Sequence, residues 1–351
     1  MMPEVTMLQA VWFVLWGLLW AMYFVLDGFD LGIGSLMPFI AKNEKERRVL
    51  YNAAGPFWDG NEVWLIAAGG VTFAAFPKAY AIMFSALYAP LLLLLFALIF
   101  RGVTFEYRGK IDSDKWRKFF DVCHVLGSFL PALLLGVAFA NLFMGIPIDE
   151  KGLYHGNILK LLNPYGLIGG VLFVLMFAYH GALWISFKSV GELHDRAVKY
   201  AGTIWMYLVA VAVVFLAASY IFTPLYENIF AMPFLAVFPL LAVVFLLTSR
   251  FTGLGFMSWA LNAGFIICAT FYGVLGMFPN LIPSNYMVAE GYNKAASIAL
   301  NNGGSSSELT LTIMLVVALI FVPVILLYQA WVYWTFSHKI TDEELKKEHA
   351  Y

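Results

Sequence analysis

Carboxylates inside otherwise apolar segments are the most chemically informative feature of this sequence. Asp27 and Asp30 lie three residues apart in the first apolar segment, and this spacing places both side chains on one face of a helix. Ionisable side chains in such segments are costly and usually face the interior of a helix bundle. The pair therefore predicts a polar site between helices. The structural alternative is a helix end at which both acids are solvated.

The second apolar segment carries another pair of acids. Asp59 and Glu62 share a helix face by the same spacing, Asn61 lies beside them, and Trp58 and Trp64 flank the group. Two acids and an amide between apolar runs are difficult to explain as packing alone. Carboxylates in such surroundings can exchange protons near neutral pH. We therefore interpret this cluster as a candidate proton-transfer site.

A fifth acid follows the third apolar segment, where Glu106 lies between Arg101 and Arg108. Arginines beside a span usually anchor it on the cytoplasmic side, but an acid adds nothing to such an anchor. Chains of Asp and Glu with water are the usual construction of proton relays. We predict that Glu106 lies at the mouth of a proton path, with Asp59 and Glu62 further along it. The structural alternative is a salt bridge from the acids of the second segment to Arg101 or Arg108 that only fixes helix register.

Two other kinds of site remain open at this point. His124 and His180 lie within apolar segments, so a haem held between them is not excluded, although a hydrogen-bonded core histidine is the favoured interpretation. An ion-coupled secondary transporter could instead use Asp27, Asp30 and Asp59 as a coupling-ion site. No motif identifies a catalytic nucleophile, a phosphate loop or a metal site in the sequence.

The composition indicates that membrane helices must position these residues. The chain has 351 residues, of which 62% are hydrophobic and 12% charged, whereas an ordinary soluble domain is about 25% charged. This excludes a soluble globular protein, and we expect no nucleic-acid partner because the net charge is −1 and there is no basic stripe. A spanning helix needs about 20 mostly apolar residues. Nine segments meet this requirement, namely 8–27, 52–76, 80–100, 119–144, 165–187, 200–223, 230–249, 254–278 and 309–335.

The placement of Lys and Arg predicts the orientation of the chain. Seventeen of the 21 lie in the loops after the odd-numbered spans or in the C-terminal tail. The N-terminus is therefore expected outside and the C-terminus in the cytoplasm. We expect an all-α polytopic membrane protein with a single integral membrane domain over 1–351. Residues 1–145 form a first four-helix bundle with the acidic motifs, 146–278 a second, and 279–351 an outer loop, a peripheral ninth helix and a cytoplasmic tail.

Several of these motifs, in this order, resemble subunit II of the cytochrome bd quinol oxidases, and the first two together are highly specific. They are Asp27-Gly28-Phe29-Asp30-Leu31-Gly32, Trp58-Asp59-Gly60-Asn61-Glu62-Val63-Trp64-Leu65, Phe105-Glu106-Tyr107-Arg108, Asn163-Pro164-Tyr165-Gly166-Leu167, Val190-Gly191-Glu192-Leu193, Met277-Phe278-Pro279 and Leu326-Leu327-Tyr328-Gln329-Ala330-Trp331. The resemblance covers nearly the whole chain and agrees with nine spans.

The resemblance implies a heterodimer with subunit I in a bacterial cell membrane. That complex oxidises quinol and reduces dioxygen to water without pumping protons. Two haems b and one haem d are expected in the complex, held by subunit I and not by this chain alone. The resemblance leaves room for a bound quinone and for small single-helix subunits.

The resemblance also implies roles for individual residues, none of them directly catalytic. Asp59 and Glu106 match acids of a proton route from the cytoplasm, and Glu62 is expected to join them. Where a family member has Asp at position 106, Glu106 keeps the carboxylate on a longer side chain, which changes its placement. The residues expected to support the haem site or the fold are Asp27, Asp30, Asn61, Arg101 and Trp58.

Overall fold

The chain is almost entirely helical in its computed structural model, which describes residues 4–253, 255–288, 291–292 and 294–346. The α-helices in this part are α1 (Met7–Ile40), α2 (Glu44–Ala54), α3 (Trp58–Ala75), α4 (Pro77–Ala86), α5 (Tyr88–Tyr107), α6 (Asp114–Met144), α7 (Ile158–Leu161), α8 (Pro164–Lys188), α9 (Gly191–Phe222), α10 (Leu225–Ala231), α11 (Val237–Phe251), α12 (Phe256–Gly276) and α13 (Glu308–Thr335). The loop between α12 and α13 holds β1 (Asn280–Ile282), β2 (Met287–Val288), β3 (Gly291–Tyr292) and β4 (Ile298–Ala299). Antiparallel pairing joins β1 to β4 and β2 to β3.

Eight helices within the described ranges are long and apolar enough to cross a membrane, which identifies a multi-pass membrane protein. They are α1, α5, α6, α8, α9, α11 with the turn from Pro233 that precedes it, α12 and α13. The second predicted segment, 52–76, falls largely on α3, which has only 18 residues. Its first turns carry Asp59, Asn61 and Glu62, which shorten its apolar length. The count of nine spans therefore stays a prediction.

Two predicted span boundaries are wrong. The first span was expected to end at residue 27, but α1 continues unbroken to Ile40 and places Asp27 and Asp30 in its buried middle. The helix continues because small residues let its neighbours approach, and a Cβ atom at Gly32 would collide with the carbonyl oxygen of Phe177 on α8. The predicted segment 80–100 is divided at Leu87 between α4 and α5.

Helix α1 is the centre of the packing. It contacts α3 and α6 on one side and α8 and α12 on the other, while α8 also packs on α6 and α9. The last long helix, α13, lies against α1 and α3 and leaves most of its side chains exposed on this chain. The predicted division into two four-helix bundles near residue 145 stays a prediction, because α1, α6 and α8 contact one another across it.

The segment after α13 folds back onto the end of α8. The backbone N–H of Ile340 donates to the carbonyl oxygen of Lys188 at 2.7 Å, and the buried Lys188 ammonium donates to the carbonyl oxygen of His338 at 2.7 Å. Arg48 on α2 donates to the carbonyl oxygen of Leu345 at 2.8 Å. These bonds place α2, the end of α8 and the C-terminal segment at the same end of the molecule.

We predict that Gly32→Ala destabilises the packing of α1 on α8. The added Cβ atom would meet backbone of Phe177, which cannot move unless α8 shifts, and such overpacking typically costs about 1–3 kcal/mol, occasionally more. The midpoint of thermal unfolding of the protein purified in detergent should fall. The matched control is Gly69→Ala on α3, where no neighbouring atom lies within 4 Å of the added Cβ. Equal midpoints for the two variants would contradict the close approach of α1 and α8.

Candidate functional site

A fully buried arginine on α5 joins three helices through charge. The Arg101 Nη2 group donates to Asp27 Oδ1 on α1 at 2.6 Å and to Glu62 Oε1 on α3 at 2.5 Å. Arg101 and Asp27 have no exposed side-chain surface, whereas the Glu62 side chain is 22% exposed. Of the two acids in the second segment for which a salt bridge was considered, Glu62 binds Arg101, and Asp27 of the first segment binds the same guanidinium. This salt bridge does not rule out proton exchange at Glu62, which keeps access to the surface.

A separate set of hydrogen bonds joins α1, α3 and α13 beside this ion pair. The Asn61 Nδ2 group donates to Asp30 Oδ2 at 2.7 Å and to the carbonyl oxygen of Leu26 at 3.0 Å, and Asn61 Oδ1 accepts from the Tyr333 hydroxyl at 2.9 Å. Asp30 and Asn61 are each only 1% exposed. The sequence analysis did not identify Tyr333, although it lies two residues after the motif in the last span. These contacts fix the amide orientation of Asn61 between two helices.

Glu62 and Glu106 line one cavity of about 430 Å³ between α3 and α5. Glu106 is exposed at the end of α5, and Glu62 is partly buried behind it. Trp58 also lines the cavity, and its ring stacks on Phe105 with the ring centroids 5.3 Å apart and the planes 4° apart. The structure thus brings together two of the three acids that the sequence assigned to a proton path.

Asp59 is exposed and lies outside this cavity. Its Oδ1 atom accepts from the backbone N–H of Gly60 at 2.7 Å. The carbonyl oxygen of Gly60 accepts from Gln329 Nε2 at 2.9 Å, and Gln329 Oε1 accepts from Trp64 Nε1 at 2.9 Å. Asp59 is therefore on the surface of this chain, beside the contact between α3 and α13.

A second ion cluster lies just beyond the end of α5 and was not predicted. The Arg108 guanidinium donates to both carboxylate oxygens of Glu44 at 2.7 and 2.8 Å and to Asp121 Oδ1 at 2.7 Å. It also lies over the ring of Tyr51, 4.9 Å from its centroid. Partial burial disfavours the charged form of the Arg108 guanidinium. The hydrogen bonds to Glu44 and Asp121 outweigh this effect and raise the pKa of Arg108. The signal available in the sequence was Asp121, an acid inside a predicted span.

The two histidines within apolar segments are hydrogen-bonded in the core. His180 Nε2 lies 3.1 Å from the carbonyl oxygen of Val25, and its Nδ1 lies 2.9 Å from Asn262 Nδ2. His124 Nδ1 lies 2.9 Å from Thr104 Oγ1. Because protein atoms engage both ring nitrogens of His180, this geometry gives no support to a haem held between the two residues. Across the residues that the structure describes, no group of three or more His, Cys, Asp or Glu side chains is placed to hold a metal ion.

Comparison with known proteins decides between the remaining interpretations. The family model described as cytochrome bd terminal oxidase subunit II matches residues 8–336. The chain belongs to this family. It is a subunit of a bd-type terminal oxidase, which confirms the resemblance seen in the motifs, and membership does not favour an ion-coupled transporter.

Relatives and a solved structure agree with this membership of the bd oxidase subunit II family. Cytochrome bd-I ubiquinol oxidase subunit 2 of Escherichia coli strain K12 is 37% identical over 383 residues, covering 99% of this chain and 98% of the relative. Cytochrome bd ubiquinol oxidase subunit 2 of Bacillus subtilis strain 168 is 36% identical over 348 residues, with 96% and 98% covered. A chain of the bd oxidase from Geobacillus thermodenitrificans matches the fold with a TM-score of 0.70 at 15% identity, covering 94% of this chain and 99% of that one.

Arg101→Met is expected to destabilise the bd oxidase subunit because it leaves Asp27 and Glu62 without their cation. Removing one partner of a buried ion pair typically costs about 3–5 kcal/mol. The midpoint of thermal unfolding of the purified complex measures this loss. Arg117→Met is the control, because the two aspartate partners of Arg117 are exposed and such surface pairs contribute about 0–1 kcal/mol. A drop no larger than that of the control would contradict the central role of Arg101.

Proposed function

We propose that this chain is the subunit that supports a haem-bearing subunit I in a quinol:oxygen oxidoreductase and supplies part of its proton uptake path from the cytoplasm. The observation that carries the proposal is the cavity lined by both Glu62 and Glu106, in which Glu62 binds the buried Arg101. The names of these relatives, ubiquinol oxidase subunit 2, support quinol as the reductant of the complex. Reduction of dioxygen consumes protons, so a carboxylate path into the membrane serves that reaction.

The proposed orientation is N-terminus outside and C-terminus in the cytoplasm of a bacterial cell. We propose that α3 is the second of nine spans, and that α13 is a peripheral ninth helix outside two four-helix bundles. The distribution of Lys and Arg supports this orientation. Contacts at the two ends of the molecule agree with an odd number of spans. Arg48 contacts the C-terminal segment at Leu345 at one end, and Gln9 near the N-terminus donates to the carbonyl oxygen of Leu300 at the other, at 3.1 Å.

The proposed path begins at Glu106, which takes up protons at the cytoplasmic surface and passes them through the cavity to Glu62. The Arg101 guanidinium holds Glu62 in place but leaves its outer face exposed to the cavity. Asp59 lies one helical turn before Glu62 on α3 and is exposed on the chain. We propose that Asp59 joins the path from the face of this chain that a partner subunit covers.

The haems are proposed to belong to subunit I. The ring nitrogens of His180 are both engaged by protein atoms, which does not fit an axial haem ligand in this chain. A bound quinone and small single-helix subunits stay expectations from the family resemblance. The surrounding bilayer contacts the exposed apolar faces, of which α13 has the largest.

The transporter alternative has less support in the geometry. A coupling-ion site needs carboxylates that the transported ion can reach. Asp27 and Asp30 are fully enclosed, and Asp27 already binds the Arg101 guanidinium. Their positions agree better with a fixed internal charge cluster than with a site that exchanges ions.

Glu62→Gln in the intact complex is expected to lower oxygen consumption and proton uptake by about tenfold or more, since positioned proton-transfer groups typically contribute 10²–10⁴-fold. The haem absorption spectrum should stay unchanged, because glutamine keeps the shape of the side chain. Glu192→Gln on α9 is the control, an exposed acid whose side chain is 91% exposed. Turnover equal to the control, with intact haem, would remove Glu62 from the path.

Asp59→Asn is expected to lower oxygen consumption and proton uptake together, with haem content unchanged. The amide cannot carry a proton, yet it can keep the bond to the Gly60 N–H. Asp195→Asn is the matched control, since Asp195 is another exposed aspartate in a segment expected on the cytoplasmic side. Proton uptake measured with a pH-sensitive dye distinguishes the two variants. Proton uptake in Asp59→Asn equal to that of the control would show that Asp59 is not part of the path.

A further inference from the structure

One cation faces three carboxylates in the centre of the described molecule. Arg101 Nη2 binds Asp27 and Glu62, at 2.6 and 2.5 Å, and it does not bind Asp30. If all three carboxylates were ionised, two negative charges would remain uncompensated inside the protein. A buried charge without a partner is so costly that the group neutralises instead. The cluster must therefore hold at least one proton.

The contacts of the three acids identify which one is neutral. Asp27 has a guanidinium partner and Glu62 has both that partner and access to the cavity. Asp30 is 1% exposed and receives only the uncharged amide of Asn61, at 2.7 Å to Oδ2. Its Oδ1 atom has no hydrogen-bond partner within the protein. An ionised Asp27, one helical turn away on the same face, also disfavours a negative charge on Asp30.

Among the residues that the structure describes, no other group facing Asp30 supplies a second positive charge. Tyr23 on α1 and Tyr333 on α13 are phenols, which interact with Asp27 and Asn61 respectively. His180 on α8 accepts from the Asn262 amide on one ring nitrogen and donates to a backbone carbonyl with the other, which is the neutral form. His124 on α6 contacts Thr104 and no carboxylate.

We propose that Asp30 holds a proton in the resting complex and is a proton-storing site behind the Glu62 cavity. Its use in turnover rests on the proposed uptake path, whereas its protonation does not. Asn61, which binds Asp30, is the residue next to Glu62 on α3, so the storing site and the cavity acid are held by the same turn of this helix. The Tyr333 hydroxyl orients the Asn61 amide so that it donates to Asp30. This arrangement keeps one proton within reach of the path and leaves the fully enclosed Asp30 uncharged.

Infrared spectroscopy of the purified complex tests the proposal directly. The wild type should show the carbonyl stretching band of a protonated carboxylic acid, shifted in deuterated water. Asp30→Asn should lose this band and keep the unfolding midpoint close to wild type, because an amide is the nearest uncharged mimic of a neutral acid. Asp121→Asn is the matched control, which should keep the band because Asp121 belongs to the separate Arg108 cluster and does not face Asp30.

A second variant keeps the test decisive if Asp30→Asn does not assemble. Tyr333→Phe leaves Asp30 in place but removes the hydroxyl that orients Asn61, so the band should shift in frequency. No acid band in the wild type, or the same band in wild type, Asp30→Asn and Tyr333→Phe, would overturn the proposal. Oxygen consumption in Glu62→Gln reports on the path alone, so failure of the storing site and failure of the path are distinguishable.

Discussion

The buried guanidinium of Arg101 is the interaction on which the rest of the structure depends. A charge in the low-dielectric interior of a membrane protein is stable only when opposite charges surround it. Here those charges come from two different helices, Asp27 on α1 and Glu62 on α3. The register of α1, α3 and α5 is thus set by an ion cluster that tolerates little displacement. The acids are retained where apolar side chains would pack more easily.

The packing around α1 makes this cluster and the cavity parts of one unit. Small residues bring α1 against the backbone of α8, so the acidic middle of α1 is enclosed instead of reaching a membrane surface. On the other side, α3 presents Glu62 toward the cavity and Asn61 toward Asp30. The Arg108 cluster closes the same end of α5 against α2 and α6. The proposed proton path therefore borders this internal charge cluster.

The sequence predicted the helical membrane class and family well because composition and motif order are local properties. The spacing of Asp27 and Asp30 also predicted their common face and their place inside the bundle. Helix ends were less predictable, since α1 passes residue 27 only because tertiary contacts with α8 favour it. Their spacing places Asp59 and Glu62 on one helix face, yet only Glu62 lines the cavity. Glu62 faces α5, whereas the exposed Asp59 lies beside the contact of α3 with α13, and these helices are distant in the sequence. The part played by Tyr333 depends on where α13 docks, which no local pattern determines.

The structure of the assembled complex, determined by electron cryo-microscopy at a resolution that shows water, is the most direct test of the central claim. The account predicts ordered water between the carboxylates of Glu106 and Glu62, with Glu62 still bound to Arg101 and the cavity open to the cytoplasmic side. Lipid acyl chains filling that cavity, or a dry apolar plug between the two carboxylates, would contradict it.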